Sequence, residues 1–327
     1  MKKVLATGTT GFIGSNLLNS LHQQGWQITT VVRNNLVQHP SRLIRTIKIG
    51  EIDGSTDWDQ TLEGIDTVIH LAARAHIIND TIPNPEAEFI RVNTEGTANL
   101  VKYSIAAGVK HFILISSIGA MGTFRQQILT ENSLCQPDTP YGNSKLQAEQ
   151  ALINLAKDSN MTWTILRPTL VYGAGNPGNM ERLMKLIKLG LPLPFGSIKN
   201  RRSFLYVDNL VDAIVTCINH PNAANQIFLV SDNQDVSTPQ LIRLIAQQME
   251  LSCKLVPVSP SLLKLLGYAG DVAQLISKKS LPFNSYSIDR LLGSLFVDSS
   301  YIQKTLNWQP PFTLEEGLAQ TLTQYNS

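Results

Sequence analysis

The chain has 327 residues, of which 43% are hydrophobic and 16% are charged, and its formal net charge is +2. This length can bury a sizeable core in one large domain or two unequal ones, and the composition is typical of a globular protein in water. The weak, dispersed charge includes no long basic stripe and so argues against nucleic acid as a partner. The three cysteines are widely spaced and lack neighbours at metal-ligand spacing, which excludes a disulfide framework, predicts no metal site and favours a reduced, cytoplasmic compartment.

No targeting or membrane-spanning segment is expected from the sequence. The first apolar run breaks at once into glycines, and no later run is long enough to span a bilayer. The nearest candidate, segment 262–276, is interrupted by Lys264 and Asp271. We interpret it as an amphipathic core helix, with contact to a membrane surface as the less favoured alternative.

The segment from Thr7 to Gly14 places three glycines between an apolar strand and an amphipathic helix, which is typical of a phosphate-binding turn. Gly8 permits the sharp turn, Gly11 lets a pyrophosphate approach the backbone, and Gly14 lets the helix pack closely on the strand. The N–H groups at the start of the helix then face the anion. The predicted order is a strand at 3–6, a helix at 15–24 and a strand at 27–32, which together form one βαβ unit.

Apolar runs and periodic segments continue to alternate after this unit. The further predicted strands are 43–49, 67–73, 111–116 and 163–167, and the further predicted helices are 57–63, 86–107 and 141–156. Continuous apolar runs are typical of parallel strands covered on both faces. The sequence therefore predicts an α/β fold of the Rossmann type, a doubly wound parallel sheet with ligands at the carboxyl ends of its strands.

Beyond Gly173 the sequence becomes rich in Gly, Pro and Asn, which indicates a smaller C-terminal substrate-binding lobe. Two predicted strands at 203–207 and 226–230 flank a helix at 208–219, so we expect the chain to return there to the main sheet. The predicted domains are a dinucleotide-binding domain at 1–172 plus about 204–231, and a lobe at 173–203 and 232–327.

Tyr141 and Lys145 lie four residues apart, which places a phenol and an ammonium on the same face of a predicted helix. A cation stabilises a phenolate, so we expect the pKa of Tyr141 to fall below its usual value of about 10. Ser117 follows a central strand, where its hydroxyl could share a substrate oxygen with Tyr141. The three residues form a candidate acid/base site.

Six sequence motifs, taken in chain order, together indicate a protein family. They are Thr7-Gly8-x-x-Gly11-Phe12-Ile13-Gly14, His70-Leu71-Ala72-Ala73, Asn93 with Gly96-Thr97, Ser116-Ser117, Tyr141-x-x-x-Lys145 and Arg167-Pro168-x-x-Val171-Tyr172-Gly173. Together they resemble the extended short-chain dehydrogenase/reductases, in the NAD-dependent epimerase/dehydratase branch that acts on nucleotide sugars. The C-terminal half adds a resemblance to bacterial enzymes of surface-polysaccharide (O-antigen) synthesis, carried by Gly178-Asn179-Met180, Leu191 to Ser197 and Asn200-Arg201-Arg202-Ser203.

The resemblance implies a role for each matching residue. Tyr141 would be the acid/base, Ser117 would hydrogen-bond the reacting oxygen, and Lys145 would hold the nicotinamide ribose, whereas Ser116 and His70 are interpreted as structural. The implied cofactor-binding residues are Gly8, Gly11, Phe12, Ile13, Gly14, Glu51, Ile52, Leu71, Ala72, Ala73, Asn93, Tyr141, Lys145 and Pro168, and Arg33 is added to them on its local chemistry. The implied substrate-binding residues are Ser117, Asn179, Phe195, Arg202 and Arg290, with Arg202 clamping the diphosphate and Phe195 lining the uracil pocket. Arg201 is interpreted as a solvated charge.

Two departures from the family pattern bear on the reaction. The second strand ends in Arg33 instead of an acidic residue, which favours NADP(H) because an arginine can meet a 2′-phosphate, while NAD(H) remains possible. The dehydratases carry an Asp-Glu pair where this chain has Ile118-Gly119, so 4,6-dehydration is disfavoured.

Three functional hypotheses follow. The first is a reductase that transfers hydride to the 4-keto group of a UDP-4-keto-6-deoxy-(N-acetyl)hexosamine, favoured by Arg33. The alternative is a UDP-hexose or UDP-N-acetylhexosamine 4-epimerase with bound NAD, and a hypothesis of another class is a non-catalytic dinucleotide-binding protein. The resemblance also implies a homodimer formed through helices near 94–106 and 144–156.

Overall fold

A computed structural model describes residues 2–34, 39, 41–75, 84–176, 179–277 and 284–326 of the chain. Gly178 and the side chain of Asn179 lie outside the described residues, so the motif around them stays a sequence prediction. Within these ranges, the order of strands and helices follows the predicted alternation closely.

The centre of the molecule is a parallel sheet of seven strands in the order β3-β2-β1-β4-β5-β6-β9. The strands of this sheet are β1 (Lys3–Thr7), β2 (Gln27–Val32), β3 (Ile44–Lys48), β4 (Thr67–His70), β5 (His111–Ile115), β6 (Thr162–Pro168) and β9 (Gln226–Val230). The order reverses between β1 and β4, which is the switch point at which Rossmann-type sheets bind their ligands. The predicted α/β fold with a doubly wound sheet is confirmed.

Twelve α-helices occur in the described part of the chain. They are α1 (Phe12–Gln23), α2 (Asp59–Leu62), α3 (Pro85–Phe89), α4 (Gly96–Ala106), α5 (Pro140–Ala156), α6 (Asn179–Lys188), α7 (Val207–Asn219), α8 (Thr238–Gln248), α9 (Pro260–Ser277), α10 (Ser285–Leu292), α11 (Ser300–Leu306) and α12 (Leu314–Asn326). A π turn, Ile90–Glu95, joins α3 to α4 without a break. Over the described ranges, no helix combines the length and the apolarity that crossing a membrane requires.

The side chains of β1 show how the sheet builds two cores. Val4 and Ala6 face one core, which α1 and α7 cover, while Leu5 faces the other, which α4 and α5 cover. This alternation follows from the two-residue period of a strand, and burial on both faces explains the continuous apolar runs in the sequence.

One expected strand lies elsewhere. Segment 203–207 was expected in the main sheet, but β8 (Arg202–Tyr206) pairs with β7 (Leu170–Tyr172) and β10 (Asp235–Val236) in a separate three-stranded sheet. The place beside β6 is occupied by β9, so β8 pairs instead with β7, where the chain leaves β6. The small sheet and the C-terminal helices surround a core of their own.

Candidate active site

The glycine turn between β1 and α1 is shaped by close backbone contacts. Gly8 has φ +73°, and a Cβ there would lie 2.6 Å from the backbone nitrogen of Ala72. A Cβ on Gly14 would lie 2.1 Å from the Gly8 carbonyl oxygen, so neither position accepts a side chain. The helix begins at Phe12, three residues before the predicted start, and within the described chain no side chain caps it at Gly11. The first N–H groups of α1 are thus left to bind an anion beside the turn.

His70 connects this turn to the helix on the other side of β4. Its Nδ1 lies 2.7 Å from Thr7 Oγ1, and its Nε2 lies 3.1 Å from Thr97 Oγ1. Thr7 Oγ1 also accepts a bond from the N–H of Ala72, and Thr97 donates to the Asn93 carbonyl, so Thr7 donates to Nδ1 and the imidazole carries its proton on Nε2. Burial, with Lys145 nearby, lowers the pKa of His70 to about 3. His70 is therefore a neutral, satisfied core residue.

The start of α5 brings Tyr141 to Ser117. Thr139 accepts a bond from the N–H of Gly142, which fixes the first turn of the helix. A Cβ on Gly142 would lie 2.3 Å from the Gly119 carbonyl oxygen, so only glycine lets α5 approach the loop after β5 this closely. Tyr141 then forms a side-chain hydrogen bond with Ser117. Sequence reasoning did not assign a role to Gly142, although its place directly after Tyr141 was a usable signal.

The protonation of Tyr141 differs from the expectation. Its pKa was expected to fall, but burial raises the pKa of Tyr141 above its usual value, and the bond with Ser117 only partly opposes this. The expected lowering by a nearby cation is missing because Lys145 Nζ donates to the Ile115 carbonyl oxygen, at 2.7 Å, and not to the phenol. Burial lowers the pKa of Lys145 to about 8, and the charge of Glu149 acts in the opposite direction.

Behind these residues lies a buried ion pair that sequence reasoning missed. Arg167 binds Glu149 through two nitrogens, with Nη2 2.6 Å and Nε 3.0 Å from the carboxylate oxygens. Ser116 also donates to Glu149, so its structural interpretation agrees with this geometry. The signal in the sequence was the position of Glu149, four residues after Lys145 on the same face of α5.

Asn93 holds the π turn against α5. Its side chain pairs with both backbone groups of Arg74, at 2.7 and 3.0 Å, and donates to Ser144 Oγ at 2.9 Å. Asn93 is buried, and Ser144 in turn donates to the Tyr141 carbonyl. The side chain of Asn93 therefore links the loop after β4 to the first turn of α5 by hydrogen bonds.

The other predicted cofactor residues lie around the carboxyl edge of the sheet. Arg33 is exposed directly after β2, and Pro168 is buried at the end of β6. Glu51 is exposed and pairs with Arg91 at 2.8 Å, whereas Ile52 lies against Gly96 at the start of α4. The remaining predicted residues of this group, at the end of β4 and at the start of α1, are Leu71, Ala72, Ala73, Phe12 and Ile13. Their roles toward a cofactor stay predictions.

Two arginines lie near each other beside the three-stranded sheet. Arg202 begins β8, and its buried Nε has no hydrogen-bond partner among the described residues. Burial and the neighbouring charge of Arg290 lower the pKa of Arg202 to about 10. Two close cations, one with a buried unsatisfied nitrogen, form an arrangement that suits an anionic group such as a diphosphate.

The other predicted substrate residues differ in position. Arg201 was interpreted as a solvated charge; it pairs with Asp235 at 2.8 Å and stacks on the Phe296 ring at 4.5 Å. Phe195 is buried in the core around the three-stranded sheet. Its predicted contact with a uracil stays a prediction.

Comparison with known protein families identifies the family of this chain. Residues 4–231 match the family described as the NAD dependent epimerase/dehydratase family. The chain belongs to this family. As a member it is an NAD-dependent nucleotide-sugar enzyme, and the order of its motifs had predicted the extended short-chain dehydrogenase/reductase type. The expected preference for NADP(H) stays a prediction.

Relatives of this epimerase/dehydratase family member span almost its whole length. A UDP-glucose 4-epimerase from Vibrio cholerae is 43% identical over 323 residues, covering 98% of this chain and 94% of that protein. An N-acetyl-alpha-D-glucosaminyl-diphospho-ditrans,octacis-undecaprenol 4-epimerase from Escherichia coli O157:H7 is 29% identical, with the same coverage. A UDP-glucose 4-epimerase from Thermotoga maritima, solved with UDP-glucose, superposes with a TM-score of 0.75 at 23% identity, covering 99% of this chain and 98% of that one. The relatives from Vibrio cholerae and Escherichia coli favour the epimerase alternative over the reductase, and the Thermotoga maritima structure shows the same fold.

Proposed function

We propose that this protein is a UDP-hexose 4-epimerase that uses NAD. The observation that carries the proposal is its 43% identity, over 98% of the chain, to the Vibrio cholerae UDP-glucose 4-epimerase. The hydrogen-bonded pair of Tyr141 and Ser117, with Lys145 one turn further along α5, supplies the groups that this reaction needs.

The glycine turn fits a dinucleotide. A side chain at Gly8 or Gly14 would strike the chain's own backbone, so only glycine allows this tight turn, and among the described residues no side chain caps the start of α1 at Gly11. Gly8, Gly11 and Gly14 would hold the pyrophosphate, Ile52 the adenine, and Lys145 the nicotinamide ribose. Bound NAD would supply the hydride acceptor and donor.

The acid/base work is assigned to Tyr141. Because burial raises its pKa, Tyr141 rests as the protonated phenol, which is the form that donates a proton to a sugar oxygen. Proton removal from the 4-hydroxyl needs the phenolate, so the ammonium of Lys145 would have to turn from the Ile115 carbonyl toward the cofactor ribose and the phenol. Ser117 would hydrogen-bond the reacting oxygen of the sugar, whether the proton moves to Tyr141 or from it. In the second half of the reaction, Tyr141 returns the proton as the 4-ketone is reduced on its other face.

We assign the diphosphate of the substrate to Arg202 and Arg290. The orphaned Nε of Arg202 and the proximity of the two charges support this assignment. Asn179 and Phe195 are proposed to bind the rest of the nucleotide. The two-domain boundaries and a homodimer through α4 and α5 are proposed on the same family basis.

The test is interconversion of UDP-glucose and UDP-galactose by purified protein without added cofactor. Tyr141→Phe should abolish turnover and leave NAD binding intact, which would also exclude a non-catalytic binding protein. If neither UDP-glucose nor UDP-N-acetylglucosamine is epimerised, and a UDP-4-keto sugar instead consumes NADPH, the reductase hypothesis and the role of Arg33 would replace this proposal.

A second candidate substrate is a sugar carried on a polyprenyl diphosphate. The relative from Escherichia coli O157:H7 acts on such a molecule, and the diphosphate that would meet Arg202 is common to both substrate classes. Epimerisation of a lipid-linked N-acetylhexosamine, compared with the matching UDP-sugar, measures the preference.

A further inference from the structure

Asn200 joins three elements of the chain, two residues before Arg202. It is buried, and its side-chain oxygen accepts a hydrogen bond from the N–H of Thr238, at 2.8 Å, in the first turn of α8. Its Nδ2 donates to Thr238 Oγ1 at 3.0 Å and to the carbonyl oxygens of Leu291 and Gly293 at 3.1 and 3.2 Å. The amide therefore connects the chain that enters β8 with the start of α8 and the end of α10.

The contacts of Asn200 fall at the end of α10, the helix that carries Arg290. Leu291 is the next residue after Arg290, and Gly293 directly follows the helix. Carbonyl groups at the end of a helix lack partners within it, so a donor from another element fixes where the helix ends. Thr238 Oγ1 lies 3.3 Å from the same Leu291 carbonyl oxygen and is a second such donor. Asn200 and Thr238 thus hold the backbone next to Arg290.

The position of α10 matters because Arg202 and Arg290 repel each other. Burial is the main cause of the low pKa of Arg202, and the charge of Arg290 adds to it, so the two guanidinium groups are close. Like charges at close range favour separation, and a loosely held helix end would carry Arg290 away from Arg202. The chain after α10 is also held to β8, through a bond from the Leu295 N–H to the Arg201 carbonyl at 3.0 Å. That bond lies further along the chain, whereas the Leu291 carbonyl adjoins Arg290 itself.

We propose that Asn200, together with Thr238, is a positioning residue for the diphosphate of a nucleotide-linked substrate. In this role Asn200 acts through Arg290, which it keeps beside Arg202, and does not itself touch the substrate. Two cations that are already held together bind an anion more tightly, because the anion does not have to bring them together against their repulsion. This role rests on the proposed function for the assignment of the diphosphate to Arg202 and Arg290.

The test is a double-mutant cycle on the affinity of the NAD-loaded protein for UDP, measured by calorimetry. Asn200→Ala should weaken UDP binding about tenfold when Arg290 is present, and by no more than about twofold in a chain that carries Arg290→Gln. Thr238→Val, which nearly keeps the shape of the side chain, should weaken binding about threefold with the same dependence on Arg290. The KM for UDP-glucose should rise in parallel while kcat stays within about twofold, because a diphosphate contact is equally present in the ground and transition states.

Asn209→Ala is the matched control. Asn209 is also buried, donates to the Phe312 carbonyl at 2.8 Å and accepts from the Phe312 N–H at 2.9 Å, so it joins α7 to the chain before α12 in a similar way. Its replacement should lower the free energy of unfolding in urea about as much as Asn200→Ala does, and should leave the affinity for UDP within about twofold of wild type. The comparison separates positioning of Arg290 from a general loss of stability.

Each contrary result has a distinct meaning. Equal loss of UDP affinity from Asn200→Ala with and without Arg290→Gln, an equal loss in Asn209→Ala, or unchanged affinity in Thr238→Val would overturn the role of Asn200. If Asn200→Ala does not fold, Thr238→Val in the two backgrounds decides in the same way. If Arg202→Gln and Arg290→Gln bind UDP as tightly as the wild type, the diphosphate assignment fails, and the positioning role fails with it. A wild type that binds UDP but epimerises no UDP-sugar would count against the proposed activity alone, because the cycle is measured on binding.

Discussion

Replacing Glu149 by Gln tests the buried ion pair behind the catalytic residues. The side chains of Glu149 and Arg167 are 1% and 4% exposed, and the carboxylate accepts three bonds from two guanidinium nitrogens and one from Ser116. The glutamine side chain keeps the shape but leaves the charge of Arg167 buried without its partner. We expect a loss of about 3–5 kcal/mol in the free energy of unfolding.

The measurement is urea denaturation at neutral pH, and Glu51→Gln is the matched control. Glu51 also pairs with an arginine, at 2.8 Å, but its side chain is 60% exposed, so its loss should cost about 1 kcal/mol or less. Glu149→Leu combined with Arg167→Met should be more stable than Glu149→Gln, since no unpaired charge remains. If Glu149→Gln costs no more than Glu51→Gln, the account of this pair is wrong.

A second readout of Glu149→Gln concerns Lys145. The charge of Glu149 raises the pKa of Lys145, so its removal should lower that pKa further below about 8. We expect the basic limb of the pH dependence of epimerisation to move to lower pH in this variant. The limb should stay in place in Glu51→Gln, because Glu51 is paired with Arg91 and is not among the groups that shift the pKa of Lys145.

The remaining predictions concern pH, the cofactor and the substrate. Because the pKa of His70 is near 3 in the folded chain and about 6.5 in the unfolded one, the unfolded state binds the extra proton as pH falls. His70 should therefore remove about 2 kcal/mol of stability between about pH 7 and pH 5, and His70→Gln should abolish that part of the pH dependence in urea titrations. Gly8→Ala should weaken NAD binding about tenfold or more by calorimetry, whereas Gly25→Ala, which has a similar positive φ but open space around it, should not. Arg202→Gln should raise the KM for the UDP-sugar by about 10–100-fold, and Arg201→Gln by no more than about threefold; equal effects would refute the diphosphate assignment.

The sequence was sufficient for the parallel sheet because its signals are local. Continuous apolar runs, helix periods and the glycine turn each depend on neighbouring residues, so β1 to β6 and the helices between them lie within a few residues of the predicted positions. The placement of β8 was wrong for the opposite reason. Whether a short apolar segment joins one sheet or another depends on which edge is free, and that depends on β9, which follows later in the chain.

In the candidate site, too, the local features could be predicted from the sequence and the long-range contacts could not. Spacing alone placed Tyr141 and Lys145 on one helix, but it could not show that Lys145 bonds to the end of β5 instead of the phenol. One partner of Glu149 directly follows β5 and the other lies in β6, and no spacing in the sequence links Ser116 to Arg167. Long-range pairing of buried charges therefore had to come from the structure.

The π turn Ile90–Glu95 has a consequence for how this site tolerates change. On a regular helix two successive side chains diverge by about 100°. Here neighbouring Asn93 and Thr94 both reach Ser144, the first at its hydroxyl at 2.9 Å and the second at its carbonyl at 3.0 Å. A π turn accommodates one residue more than an α turn, so deleting a single residue from this stretch would restore a regular helix and separate the two contacts. The length of this segment, more than the identity of most of its side chains, thus fixes the first turn of α5 and the tyrosine that it carries.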